Sequence, residues 1–122
     1  MIVFDTGALI AVERRRHRML DVWRAARAAG RGVIVPGAVL AEWWCGRTDV
    51  REAILAAVTI VPVDEAIGRA AGEVLAAIAD ATPIDAIVMA VAARRGAVVY
   101  TSDVLDLEEL RAFFPGVRVL ST

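Results

Sequence analysis

Four carboxylates sit where an alternating α/β chain can aim side chains at a ligand: Asp5, Glu42, Asp85 and Asp103. Asp5 directly follows an apolar run, in Val3-Phe4-Asp5-Thr6-Gly7, and Asp103 follows another, in Tyr100-Thr101-Ser102-Asp103. In open parallel sheets, ligands bind beyond the carboxyl ends of the strands. Two acids leaving two strands at one edge would share a crevice if those strands are neighbours where the strand order reverses. Asp85 holds the third position of a helix opened by Thr82 as N-cap and Pro83 as first residue. Glu42 interrupts the apolar stretch Gly37–Cys45, where a buried carboxylate is costly unless something pairs with it.

Each acid also has a plain structural reading. Asp5 and Asp103 could cap the helices beginning near Ala8 and Leu107. Asp85 could serve its own cap and the helix dipole. Glu42 could point to solvent. As a set they suggest more, because clustered carboxylates repel and desolvate one another. A hard cation such as Mg²⁺ or Mn²⁺ relieves that cost. It also lowers the pKa of a bound water and neutralises charge on a phosphodiester.

Short β-branched runs and alanine-rich helical runs alternate to position these acids. Ile2–Phe4, Val33–Val35, Thr59–Pro62, Val98–Thr101 and Val117–Leu120 read as strands, apolar throughout as expected for strands covered on both faces. Helical patterns cover Ala8–Arg14, Arg18–Ala29, Gly37–Cys45, Val50–Ala57, Glu65–Ala79, Pro83–Arg95 and Leu107–Phe113. Gly30, Gly32, Gly96 and Gly116 punctuate the borders. The expected architecture is α/β: a three-layer α/β/α sandwich with a short, mainly parallel central sheet, formed by residues 1–122 as one domain.

Composition removes several alternatives. The chain has 122 residues, 14 basic and 15 acidic groups, and a formal charge of −1, so bulk charge does not bear on nucleic acid. All the basic residues are arginine, whose planar fork suits phosphate oxygens. A lone cysteine, Cys45, and a lone histidine, His17, make a zinc site or an internal disulfide untenable and fit a reducing, cytoplasmic setting. No apolar run reaches the roughly 18–20 residues of a membrane span, and no basic region precedes an apolar stretch at the start, so neither a membrane segment nor a signal peptide is expected. The apolar fraction of 58% is high and suggests a protein–protein interface.

The strings VFDTGAL, VLAEWW, TPIDAIVMAVAARRGA and VVYTSDVLDL resemble, in order and spacing, the four acidic motifs of PIN domains. The resemblance is closest to VapC-type toxins of toxin–antitoxin pairs and covers essentially the whole chain. It implies a Mg²⁺- or Mn²⁺-dependent endoribonuclease with Asp5, Glu42, Asp85 and Asp103 as its metal-site acids. Thr6 and Thr101 fit the accompanying hydroxyl positions, and Asp106 is a further acid near the site. The resemblance also implies a homodimer and a cognate antitoxin whose C-terminal segment enters the acidic crevice. The expected chemistry is in-line attack by an activated water, leaving a 5′-phosphate and a 3′-hydroxyl. Ala81-Thr82-Pro83 stands where many relatives carry a longer polar loop, so RNA specificity does not carry over.

Arg14, Arg15, Arg16 and Arg18, around His17, form the densest basic run. It reads equally as a clamp on RNA phosphates or as a solvated turn. Arg94 and Arg95 suit a helix C-terminus. Of Trp43 and Trp44, one is expected in the core and the other at an interface, since successive helical residues point about 100° apart. Receiver-like and phosphatase-like Asp sites call for a lysine near the acids, and this chain has none. The non-enzymatic alternative is a catalytically inactive PIN fold that binds protein or RNA.

Overall fold

In the computed structural model, which describes residues 1–122, the strands are β1 (Ile2–Phe4), β2 (Val33–Pro36), β3 (Thr59–Val61), β4 (Val98–Thr101) and β5 (Arg118–Ser121). The helices are α1 (Thr6–Glu13), α2 (His17–Ala28), α3 (Gly37–Trp44), α4 (Asp49–Ala56), α5 (Glu65–Ala77), α6 (Pro83–Arg95) and α7 (Val104–Leu110). The five strands form one sheet in the order β3-β2-β1-β4-β5, with every pairing parallel. The register sets Ile2 opposite Val33 on one side and opposite Val98 on the other. β1 is therefore central, and the order reverses between β1 and β4.

Right-handed crossovers then place α1–α4 over one face and α5–α7 over the other, as the three-layer reading expects. The packing agrees: α1 contacts α2, α3 and α4, while α6 contacts α5 and α7. Because both faces are covered, every residue of β1 and β2 is buried. A single hydrophobic cluster of 30 residues joins sheet and helices, centred on Phe4, Leu9, Ile34, Met89 and Leu107. α6 runs through it, with Ala86 and Val88–Ala92 all buried. α3 also touches α6, at the end of the sheet where the strands finish. No helix is long and apolar enough to cross a membrane.

Local chemistry sets the helix borders, and in places moves them by a few residues. α1 begins at Thr6 rather than Ala8, because Asp5 is its N-cap and accepts the Ala8 N–H at 2.9 Å. α7 begins at Val104, three residues before Leu107, with Asp103 in the cap position but making no capping bond. α6 starts as read, with Thr82 Oγ1 accepting the Asp85 N–H at 3.2 Å and Pro83 in its first turn. Gly96, left-handed at φ 62°, ends it where an L side chain would be strained. Trp43 is buried and Trp44 half-buried, and they meet edge-on at 6.2 Å.

Candidate functional site

The order reversal brings the ends of β1 and β4 side by side, with the Asp5 N–H donating to the Tyr100 carbonyl at 3.3 Å. Asp5 and Asp103 thus leave adjacent strands at one edge. The start of α6 brings in Asp85, and the contact of α3 with α6 brings in Glu42. Glu42, Asp85, Asp103 and Asp106 line one cavity of about 400 Å³, together with Thr82, Pro83 and Ile84. It is the roomiest of the five surface cavities. Asp5 does not line it. Only 6% exposed, Asp5 nevertheless feels the charges of Asp103 and Asp85.

Electrostatics tie the acids into one network. Burial pushes the Asp5 carboxyl from its ordinary 3.8 up to about 6. The Thr101 hydroxyl and the Ala8 N–H pull it back, and Asp103 and Asp85 push it up further. Asp85 is also raised, first by burial, with Thr82 opposing and Asp103, Asp106 and Glu42 adding repulsion. None of these acids belongs to any of the ion pairs in the molecule. No basic side chain therefore neutralises any of these five carboxylates.

Two hydroxyls and one glycine position the acids. Thr6, at the first position of α1, donates from Oγ1 to Glu42 Oε1 and so ties α1 to α3. Thr101, fully buried at the end of β4, accepts the Asp103 N–H at 2.8 Å while standing beside Asp5. Gly7 is the close-approach point: a Cβ there would lie 2.1 Å from Ser102 Oγ and 2.8 Å from Ser102 Cβ.

Glu42 is exposed rather than buried, so the expected cost of burying it does not arise. The buried residues of α3 are Val39 and Trp43, and Glu42 is turned away from that face towards Thr6 and the cavity. The capping readings hold in part. Asp5 is a cap, Asp103 is not one in its hydrogen bonding, and the Asp85 backbone is held by its own cap Thr82. Arg14, Arg15, Arg16, His17 and Arg18 are all exposed.

Sequence reasoning did not find the clamp behind the site. Arg51 Nη1 donates to the Trp44, Cys45 and Gly46 carbonyls at 2.9, 3.4 and 2.9 Å. Its Nε and Nη2 reach the two Glu13 oxygens at 3.2 and 3.3 Å, and Trp43 Nε1 donates to Glu13 at 3.0 Å. The end of α1 is thereby locked to the end of α3, with Asp5, Thr6 and Glu42 at their other ends or along them. Arg51 and Glu13 are 38 residues apart and nothing local in the sequence joins them.

The donor set is all oxygen, acidic and unneutralised, which fits a hard divalent cation and no soft metal. The acids do not close into a ready-made cage of three around one point. Mg²⁺ does not need one, since it keeps several waters and takes one or two carboxylates directly.

A family model described as the PIN domain matches residues 2–104. Several solved structures share the fold. VapBC2 from Rickettsia felis, bound to a DNA fragment from its promoter, matches with a TM-score of 0.79 at 13% identity, covering 100% of this chain and 99% of that one. DNA-bound VapBC from Salmonella typhimurium matches at 0.77 and 17%, covering 98% and 96%. Mycobacterium tuberculosis VapC20, described as a sarcin-ricin loop cleaving toxin, matches at 0.62 and 20%, covering 81% and 87%. No curated protein sequence matches.

Proposed function

The chain belongs to the PIN domain family, and on that premise we propose that it is a metal-dependent endoribonuclease, the toxin of a VapBC-like toxin–antitoxin pair. The observation that carries this reading is the gathering of carboxylates at the carboxyl ends of β1 and β4, where burial and the neighbouring acids raise the pKa of Asp5 and Asp85 and no basic side chain pairs with them. A fold does not hold such repulsion cheaply, and perturbed acids cluster at functional sites.

Asp5, Asp85, Asp103 and Glu42 are the residues that would hold Mg²⁺ or Mn²⁺. The cation would acidify a water for attack and neutralise charge on the phosphodiester. The chain's own groups do the positioning. The Ala8 N–H and Thr101 orient Asp5, Thr6 holds Glu42, and the Thr82 cap fixes the helix turn that carries Asp85. Asp106 lines the same cavity and adds to its negative charge. The cavity opens at the surface, so a phosphodiester can reach it from solvent.

The structural neighbours support the biological setting. They include VapBC complexes and a VapC described as a sarcin-ricin loop cleaving toxin, which favours an antitoxin partner and an RNA substrate; a homodimer acting in the cytoplasm is part of the same proposal. An inactive binding module is the second reading. It is disfavoured because five unneutralised carboxylates would repel the phosphates they were meant to bind.

The test is cleavage of labelled RNA. We expect cutting with Mg²⁺ or Mn²⁺, none in EDTA, none with Asp5→Asn, and products bearing a 5′-phosphate and a 3′-hydroxyl. Undiminished cutting by Asp5→Asn would remove the site from the mechanism, and a 2′,3′-cyclic phosphate would exclude attack by water.

A further inference from the structure

The basic run after α1 is split by its own backbone. Arg15 has φ 56°, a left-handed conformation that an L side chain adopts at a cost. The bonds from Arg16 N–H to the Ala11 carbonyl (2.9 Å) and from Arg15 N–H to the Val12 carbonyl (3.0 Å) form a Schellman closure with Arg15 where glycine usually stands. This turn sorts the arginines. Arg15 lines an apolar cavity with Val12, Leu20 and Trp23, whereas Arg14 and Arg16 line a different groove with Gly7, Ser102 and Thr122.

That groove, about 310 Å³ in volume, adjoins the acidic crevice. Gly7 and Ser102, which approach closely, both line it; their chain neighbours are Thr6, which holds Glu42, and Asp103, which lines the crevice. Arg14 and Arg16 make no ion pair and no side-chain hydrogen bond to another residue, so their charge is available. An acidic crevice and a basic groove are therefore joined through consecutive residues, Ser102 lining the groove and Asp103 the crevice. A chain of phosphates binding across both would meet a cation site at one phosphate and arginine forks at a neighbour.

We propose that Arg14 and Arg16, with Ser102, form a phosphate subsite that holds the backbone of a single RNA strand beside the acidic crevice, an inference that rests on reading that crevice as the cleavage site. No aromatic residue lines either cavity. The subsite therefore grips phosphate rather than stacking bases, and it is indifferent to sequence at that position.

The experiment measures binding of a short fluorescein-labelled oligouridylate to the full chain by anisotropy, in EDTA and across a salt series. Two variants with equal loss of charge are compared: Arg14→Gln/Arg16→Gln, which empties the groove, and Arg15→Gly/Arg18→Gln, which takes two charges from the same run but none from the groove. The first is expected to weaken binding about tenfold and to flatten the dependence of log affinity on log salt by about 1.4, at about 0.7 per phosphate contact on a single strand. The second should change both much less. With Mg²⁺ or Mn²⁺ present, the first variant should raise KM for RNA cleavage and leave kcat nearly unchanged.

Equal losses from the two variants would replace the subsite with a diffuse positive patch. An unchanged affinity and salt slope in Arg14→Gln/Arg16→Gln, or no RNA binding by the native chain, would overturn the proposal. Groove-dependent binding without metal-dependent cutting would sink the nuclease reading and leave the phosphate subsite standing. Cutting with an unaltered KM in Arg14→Gln/Arg16→Gln would do the reverse.

Discussion

Thr6 donates its hydroxyl hydrogen to the Glu42 carboxylate, so the opening residue of one helix holds the acid of another. Glu42 is exposed and otherwise free to rotate. Thr6→Val keeps the shape and removes the donor. A hydrogen bond to a charged group is worth about 1.5–3 kcal/mol, so cleavage should fall by roughly 10–100-fold if that orientation serves the site. The melting temperature should fall by several degrees, so rates are compared well below the transition. Rates with Thr6→Ser, which restores the hydroxyl, should return near native. Equal rates for Thr6→Val and the native chain would strip Thr6 of any positioning role.

Gly7 admits no side chain. Rotation of the Ser102 hydroxyl could relieve the 2.1 Å clash, but the 2.8 Å approach to Ser102 Cβ requires the two backbones to separate. Gly7→Ala should destabilise the fold by about 1–3 kcal/mol as overpacking does, read in denaturant unfolding. Gly7→Ala/Ser102→Gly should recover most of the loss. A double variant no more stable than Gly7→Ala would place the strain elsewhere.

Asp5 gives the protein an inverted response to acid at one position. Its folded pKa of about 6 lies above the ordinary 3.8, so the folded state binds the proton more tightly than the unfolded state. The penalty for ionising Asp5 is absent below about pH 4 and grows as pH rises to about 6. That gap corresponds to about 3 kcal/mol, at about 1.4 kcal/mol per pH unit. Asn keeps the capping oxygen. In EDTA, Asp5→Asn should therefore be the more stable protein at neutral pH, with the advantage fading towards pH 4. Added Mn²⁺ should stabilise the native chain more than Asp5→Asn. A stability difference independent of pH would contradict this account of Asp5.

Arg51 should be irreplaceable by lysine. It holds three carbonyls at the end of α3 and both Glu13 oxygens, a pattern that needs a planar fork. The pair is largely shielded, with 21% and 22% side-chain exposure. Both Arg51→Ala and Arg51→Lys should lose roughly 1–3 kcal/mol of stability. Arg51 holds the Glu13 carboxyl below its usual range. The link is complete above the ordinary carboxylate pKa and is lost as pH falls through the lowered one. Chemical denaturation at neutral and acid pH checks both statements, and full rescue by lysine would refute the fork.

Much of this architecture is readable from residue types. β-branched runs mark all five strands to within a residue at either end; β1 and β2 are apolar throughout because both faces are buried, whereas the edge strands β3 and β5 keep exposed residues. Thr82-Pro83 marked the start of α6, because cap chemistry is local. Strand order is not local, so the meeting of Asp5 with Asp103 depends on the β1–β4 pairing, which residue types do not encode. Glu42 misled on burial because its neighbours are apolar, while the side that faces the core is carried by Val39 and Trp43. The Arg51–Glu13 clamp and the approach of Gly7 to Ser102 depend on tertiary distance alone and leave no mark in spacing.

The central place of β1 also governs when the molecule can act. One neighbour of this strand begins at Val33, whereas the other begins only at Val98. A nascent chain that has emerged as far as α5 already carries Asp5 and Glu42 but has nothing to set beside the open edge of β1. The crevice closes only after β4 has been made, and long-range parallel pairing of this kind is intrinsically slow. A chain that stops short of β4 consequently lacks the pairing that sets Asp103 beside Asp5.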